Sequence, residues 1–189
     1  MKQIALFITV FFIATISLSA QNNNTGEWHR VETPMGITFT MPGEAAHEFS
    51  IQDGVPTHIY KSRDLNCILG AVCANFSNKK EMLAPEYHGS LVEILKLGSI
   101  PKEDYGKLVS EKLIQKDAPL IYEINYTTES NKIQWSYIKR FIITDSHIYQ
   151  FTIGAKTRNT DQLKFESILF FDSIELMESN EKEATEVAP

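Results

Sequence analysis

The stretch Leu120-Ile121-Tyr122-Glu123-Ile124-Asn125-Tyr126-Thr127, followed after the turn Glu129-Ser130-Asn131 by Ile133-Gln134-Trp135-Ser136-Tyr137-Ile138-Lys139-Arg140-Phe141, decides the fold. Leu120, Tyr122, Ile124 and Tyr126 alternate with Glu123, Asn125 and Thr127, the period of two that marks a half-buried strand. Ile133, Trp135, Tyr137, Lys139 and Phe141 repeat that period in the second run. Asp145-Ser146 turns the chain again, and His147 to Gly154 is a third run rich in β-branched and aromatic residues. Turns this short make sequential strands antiparallel neighbours. Lys107 to Gln115, just upstream, is the strand of this series with the weakest alternation.

Working outward, residues 28–33 predict a first strand, turned back by Pro34-Met35-Gly36 into a second in which Ile37, Phe39 and Met41 alternate with Thr38 and Thr40. Ala46 to Ile51, His58 to Tyr60 and the apolar Cys67 to Phe76 continue this meander, with Asp53-Gly54 as a turn signal. From Lys79 to Leu97 the period lengthens: Leu83, Tyr87, Leu91, Ile94, Leu95 and Leu97 predict a helix, with Pro85 in its first turn, Gly98 at its stop, and Glu86, Glu93 and Lys96 in water. Asn159, with Gln162 three residues on, predicts the cap of a last helix. The expected inner stripe of that helix is Leu163, Ser167, Ile168 and Phe171, widened by Phe165 and Phe170, and a short extended piece closes at Leu176.

Meander, helix, meander, helix is an α+β arrangement, an antiparallel sheet with helices packed on it. Alternation in the strands implies one face covered and the other partly open. The Gly36-Ile37-Thr38-Phe39-Thr40-Met41-Pro42-Gly43 segment, the helix from Tyr87 to Leu97, and the ending His147-Ile148-Tyr149-Gln150 with Phe170-Phe171-Asp172-Ser173-Ile174-Glu175-Leu176 resemble the Mog1/PsbP-like group of small α+β domains. The resemblance spans most of Trp28 to Leu176. It implies an α/β/α sandwich and a binding or assembly-assisting domain in place of an enzyme. It transfers no functional residue, because the matching positions are apolar residues and turns.

The N-terminus predicts a chain that leaves the cytoplasm. Lys2 precedes an apolar run from Ile4 to Leu18 that ends in Ser19, Ala20 and an Asn-rich tract, which is the pattern of a cleavable signal peptide cut after Ala20. The run is shorter than the roughly 20 residues a membrane-spanning helix needs; an uncleaved anchor is the competing interpretation. The expected organisation is a leader over 1–20, a polar tether over 21–27, one α+β domain over 28–176 and a disordered acidic tail over 177–189. Removing the leader takes away one lysine and no acid, so 17 basic residues face 24 acidic ones and the formal charge becomes −7. That charge argues against nucleic acid and anionic membrane as partners. The expected location is the periplasm or the medium around a bacterial cell, with no stable membrane span once the leader is gone.

Cys67 and Cys73 would lie about 20 Å apart on one continuous strand, whereas a disulfide needs its Cα atoms within about 4.4–6.8 Å. Two buried free thiols are favoured over a hairpin bridge turning at Gly70. No two of His29, His47, His58, His88 and His147 are three to five positions apart, so no metal-ligand pair is legible, and no cofactor motif is present. His88-Gly89-Ser90 fits an exposed helical face better than a nucleophile pair, and Glu103-Asp104 and Glu81 with Glu86 fit solvated connections. No catalytic residue is assigned. The remaining signal is aromatic: Tyr122, Tyr126, Trp135 and Tyr137 share parity on paired strands and can lie on one face, with Lys139 and Arg140 near its edge. They are either ordinary core under the helices or the lining of a concave face that holds an apolar ligand or peptide. The function expected is a non-catalytic exported domain that binds a partner protein or a small apolar ligand. The alternative is an enzyme whose site is assembled from distant residues.

Overall fold

The structure is a computed structural model, and it describes residues 26–177. The leader, most of the tether and nearly all of the acidic tail lie outside the described residues. The main body is a seven-stranded antiparallel sheet made from β3 (Ala46–Gln52), β4 (Val55–Arg63), β5 (Cys67–Asn75), β6 (Lys107–Gln115), β7 (Leu120–Ser130), β8 (Ile133–Ile143) and β9 (His147–Lys156). Its spatial order is β3-β4-β5-β9-β8-β7-β6. The two meanders are therefore joined side by side through β5 and β9, which pair from Cys67↔Ala155 to Asn75↔His147.

The hairpins form where the turn chemistry allows. Asp53 and Gly54, at φ 49° and 75°, join β3 to β4, and Asn131 and Lys132, at 52° and 64°, join β7 to β8. Two consecutive left-handed residues match the twist of the flanking strands. β6 is an edge strand, exposed along its whole length and irregular in register at Leu108/Ser110 and Leu113/Gln115. That irregularity accounts for its weak alternation and twists an edge away from further pairing.

The first two strands do not continue the meander. β1 (Trp28–Glu32) and β2 (Ile37–Pro42) join the terminal β10 (Glu175–Leu176) in a separate three-stranded sheet with β2 at its centre. β2 is covered on both faces: Ile37, Phe39 and Met41 are inaccessible to solvent, and Thr38 lies under Glu175, to which its hydroxyl donates. Its inner face packs on the main sheet, where Phe39, Phe151 and Phe170 meet edge to face at 5.1–6.3 Å.

The last helix, α2 (Thr160–Asp172), lies on that same face, whereas α1 (His88–Ser99) covers the other. The result is an α/β/α sandwich with the small sheet beside α2. Cys67 and Cys73 are free and buried on the α2 side.

Both helices depart from the pattern read in the sequence. Pro85 breaks the expected helix, so Ser77–Leu83 and Pro85–Tyr87 are 3₁₀ turns and α1 begins only at His88. Gly98 lies inside α1, and Lys96, expected in water, is largely covered between Glu93 and Glu111, at 2.7 and 2.9 Å. In α2 the buried positions are Leu163, Glu166, Ser167, Phe170 and Phe171. This i, i+3, i+4, i+7, i+8 stripe leaves Ile168 and Phe165 each 60% exposed, contrary to expectation. Asn159 occupies the cap position but makes no capping bond; its amide donates to Asn66 Oδ1 across the β4–β5 turn.

Candidate functional site: a cavity beside helix α1

α1 covers only half of its face of the sheet. Leu91, Val92 and Leu95 pack with Leu120, Ile124, Phe141 and Ile143 over β7 and β8. Over β5 from Cys67 to Cys73 the odd residues are buried towards α2, while the even ones, Ile68, Gly70 and Val72, remain partly exposed although the strand is internal to the sheet. The uncovered ground is a cavity of about 550 Å³. Its floor is β5 and β9, where Gly70 contributes no side chain and Thr152 a short one. Ile59, Lys61 and Arg63 of β4 form one wall and Tyr126, Trp135, Tyr137 and Lys139 the other, with Ser99, Pro101 and Asp104 at the lip.

The aromatic wall follows from strand register. Tyr126 pairs with Tyr137, and their rings stack at 4.9 Å and 11°; Trp135 stacks on Tyr137 at 6.2 Å. Tyr137 in turn pairs with Gly154. A Cβ built at Gly154 would lie 2.3 Å from the Tyr137 ring, so the ring lies flat only because that position is glycine. Burial raises the Tyr126 and Tyr137 hydroxyls above the ordinary tyrosine range, which keeps both neutral.

Three of the four aromatic candidates thus line one cavity. Tyr122 shares their face but lies away from the cavity, its hydroxyl donating to Glu111 Oε2 at 2.5 Å in the ion-pair knot with Lys96. Lys139 belongs to the cavity wall itself, since it shares parity with Trp135 and Tyr137. Arg140 does not: opposite parity sends it to the α2 face, where it binds Glu123 Oε2 through Nε (3.1 Å) and Nη2 (2.8 Å) and sits 4.2 Å over Phe171. Parity alone could have separated these two residues. Asp104, assigned to a solvated connection, is at the cavity lip.

Lys139 is the cavity cation whose charge burial perturbs. Desolvation lowers its pKa from 10.5 to about 8. Its ammonium donates to Ser99 Oγ at 3.3 Å, at the C-terminal end of α1, where the helix dipole favours a cation. A serine beside a lysine of lowered pKa invites comparison with a nucleophile and its base. The geometry argues otherwise. The Ser99 hydroxyl donates to Leu95 O at 2.7 Å and is 6% exposed. A helix C-terminus also opposes the oxyanion that acyl transfer must stabilise. None of the five histidines lines the cavity. His88 bonds Leu83 O from the start of α1, consistent with a surface role.

No protein-family model and no curated protein matches the chain. Solved structures do. The chain is similar to cyanobacterial PsbP (CyanoP) from Synechocystis sp. PCC 6803, in solution structure, with 14% identity and a TM-score of 0.55 over 85% of this chain and 98% of that one. The fold is PsbP-like. Weaker similarities are to LpqN of Mycobacterium tuberculosis, a protein involved in cell envelope biogenesis (8% identity, TM-score 0.46, 80% and 91% coverage), and to PA94 of Pseudomonas aeruginosa, a protein of unknown function and putative regulator (13%, 0.41, 75% and 92%). Among the described residues no helix is long and apolar enough to cross a membrane.

Proposed function

We propose that the chain is an exported, non-catalytic domain of the cell envelope, and that its cavity binds a small amphiphile: an apolar body against Tyr126, Trp135 and Tyr137, and an anionic head paired with Lys139. The single observation that carries this is the cavity, whose volume of about 550 Å³ falls within the roughly 300–1,000 Å³ of small-molecule sites. Its cationic side chains Lys61, Arg63 and Lys139 outnumber the one acid, Asp104. The leader sequence supports export, and the covered, helix-bonded Ser99 supports a binding role over a catalytic one.

Trp135 provides the test. In a Trp28→Phe background it is the sole tryptophan, and its emission is followed while decanoate or uncharged decanol is added. Decanoate is expected to give a saturable change at one molecule per chain and to bind at least tenfold more tightly than decanol. Thr152→Phe, which fills the floor, should abolish the change. Absence of a saturable response, or a response indifferent to Thr152→Phe, overturns the proposal. Covalent labelling of Ser99 by a fluorophosphonate would overturn its non-catalytic part.

A further inference from the structure

On the opposite face of β5, three potential ligand atoms converge: a carboxylate oxygen of Asp64, Cys67 Sγ and a carboxylate oxygen of Glu166, all within 4.8 Å of one another. Each is held by its local structure. Asp64 Oδ1 accepts the backbone N–H groups of Asn66 and Cys67, both at 2.7 Å, and Asp64 N donates to Cys67 O, which closes the tight β4–β5 turn. Cys67 opens β5 facing the core. Glu166 comes from the buried stripe of α2, a position where a helix facing an apolar sheet ordinarily carries an aliphatic residue.

Glu166 is 3% exposed. Its Oε1 accepts from Gln162 Nε2 at 2.6 Å, but Oε2 is buried with no hydrogen-bond partner. A buried carboxylate oxygen left this way is costly, so something has to occupy the space in front of it. Three occupants meet that demand: a proton shared with Asp64, the S–H proton of Cys67, or a cation. Either proton joins Glu166 to one neighbour at a time, Asp64 or Cys67. A divalent cation uses all three groups, since it draws the proton off the thiol and neutralises the carboxylates.

We infer that Asp64, Cys67 and Glu166 form a site for a borderline divalent cation of the zinc class. One thiolate with two carboxylates and a water in the fourth position suits that ion, and a purely hard cation would have no use for sulfur. Bonds of about 2.0–2.3 Å would place tetrahedral ligand atoms about 3.3–3.7 Å apart, so the side chains close by about an ångström on binding. Entry is through the β4–β5 turn, where Leu65 is 89% exposed and Asn66 is at the surface. The sequence could not disclose this site, because Glu166 is about a hundred residues from the other two.

The test is cobalt(II) titration of the purified, chelator-stripped protein, with zinc as competitor. Expected is one cobalt per chain with a thiolate-to-cobalt charge-transfer band that zinc displaces. Cys67→Ser should lose the band, Cys73→Ala should keep it, and Glu166→Gln should weaken cobalt binding at least tenfold. Glu166→Gln is nearly isosteric and serves should Cys67→Ser fail to fold. A folded wild-type protein that gives no charge-transfer band overturns the proposal in favour of a proton in the site, as does a band of undiminished affinity in Glu166→Gln.

Discussion

Replacing Lys139 by methionine should make the protein more stable while removing its affinity for an anionic amphiphile. The folded state holds this lysine at about 8 against 10.5 for an unperturbed one. At about 1.36 kcal/mol for each decade, the gap sets a ceiling of about 3.4 kcal/mol on what burying the charge costs at neutral pH. Lys139 keeps partial contact with solvent, and screening there reduces the figure to about 1.5 kcal/mol. The sign follows from proton binding. Below about pH 8 both folded and unfolded chains hold the proton, and the full cost stands. Between about 8 and 10.5 the unfolded chain holds more of it, so stability rises with pH; above 10.5 the cost is gone. Methionine preserves most of the side-chain volume, and Ser99 Oγ retains its bond to Leu95 O. For a chain of this length, about 1.5 kcal/mol corresponds to a rise of about 3–6 °C in melting temperature at pH 7. The assay is thermal unfolding of wild type and Lys139→Met from pH 7 to pH 10.5, compared as a difference so that other titrating groups cancel. A variant that melts below the wild type at pH 7 would falsify the reasoning, as would a gap that stays constant with pH.

Three further outcomes are expected. Affinity for decanoate should fall about tenfold per pH unit above about 8, because the anion pairs only with the protonated lysine; a flat pH profile of the Trp135 titration would show that Lys139 does not hold the head group. Gly154→Ala should cost about 1–3 kcal/mol and disrupt the Tyr126–Tyr137 stack, since the new methyl meets the ring at 2.3 Å; urea unfolding together with near-UV circular dichroism reads both. Phe170→Ala, which empties the centre of the edge-to-face cluster with Phe39 and Phe151, should cost about 3–5 kcal/mol in urea unfolding, and a loss below about 1 kcal/mol would mean that the core collapses around the gap.

The strands were legible because their period is local. Tyr122 to Tyr126 and Trp135 to Phe141 display alternation within a few residues, and Asp53-Gly54 marks its hairpin without reference to the rest of the fold. What escaped depends on partners distant in sequence. β2 reads as one more alternating strand until β10, well over a hundred residues later, pairs with it and covers Thr38. Ranking side chains by apolarity put Ile168 inside α2 and left Glu166 out, whereas helix geometry and the groups waiting at Asp64 and Cys67 select the reverse. The aromatic wall of the cavity was readable from parity. The cavity was not, since it exists through what is missing: a side chain at Gly70, a long one at Thr152, and the second half of a helix that ends at Ser99.

The two candidate sites share one strand, and that sharing limits how they can influence each other. β5 presents Ile68, Gly70 and Val72 to the cavity and Cys67 to the acidic cluster, on opposite faces of the pleat. No side chain reaches from one to the other through the sheet, so coupling between them requires β5 itself to move. That strand is paired with β9 along its whole length and with β4 from Ile68 to Ala74, which makes such movement expensive. A slip by a single residue would also exchange its faces and bury Ile68 where Cys67 now sits. Occupation of one site should therefore leave affinity at the other unchanged within about 0.5 kcal/mol, the tolerance within which independent positions add. Decanoate titrations with and without zinc measure this directly. A larger coupling would mean that β5 is a two-state element and not the fixed partition that its pairing describes.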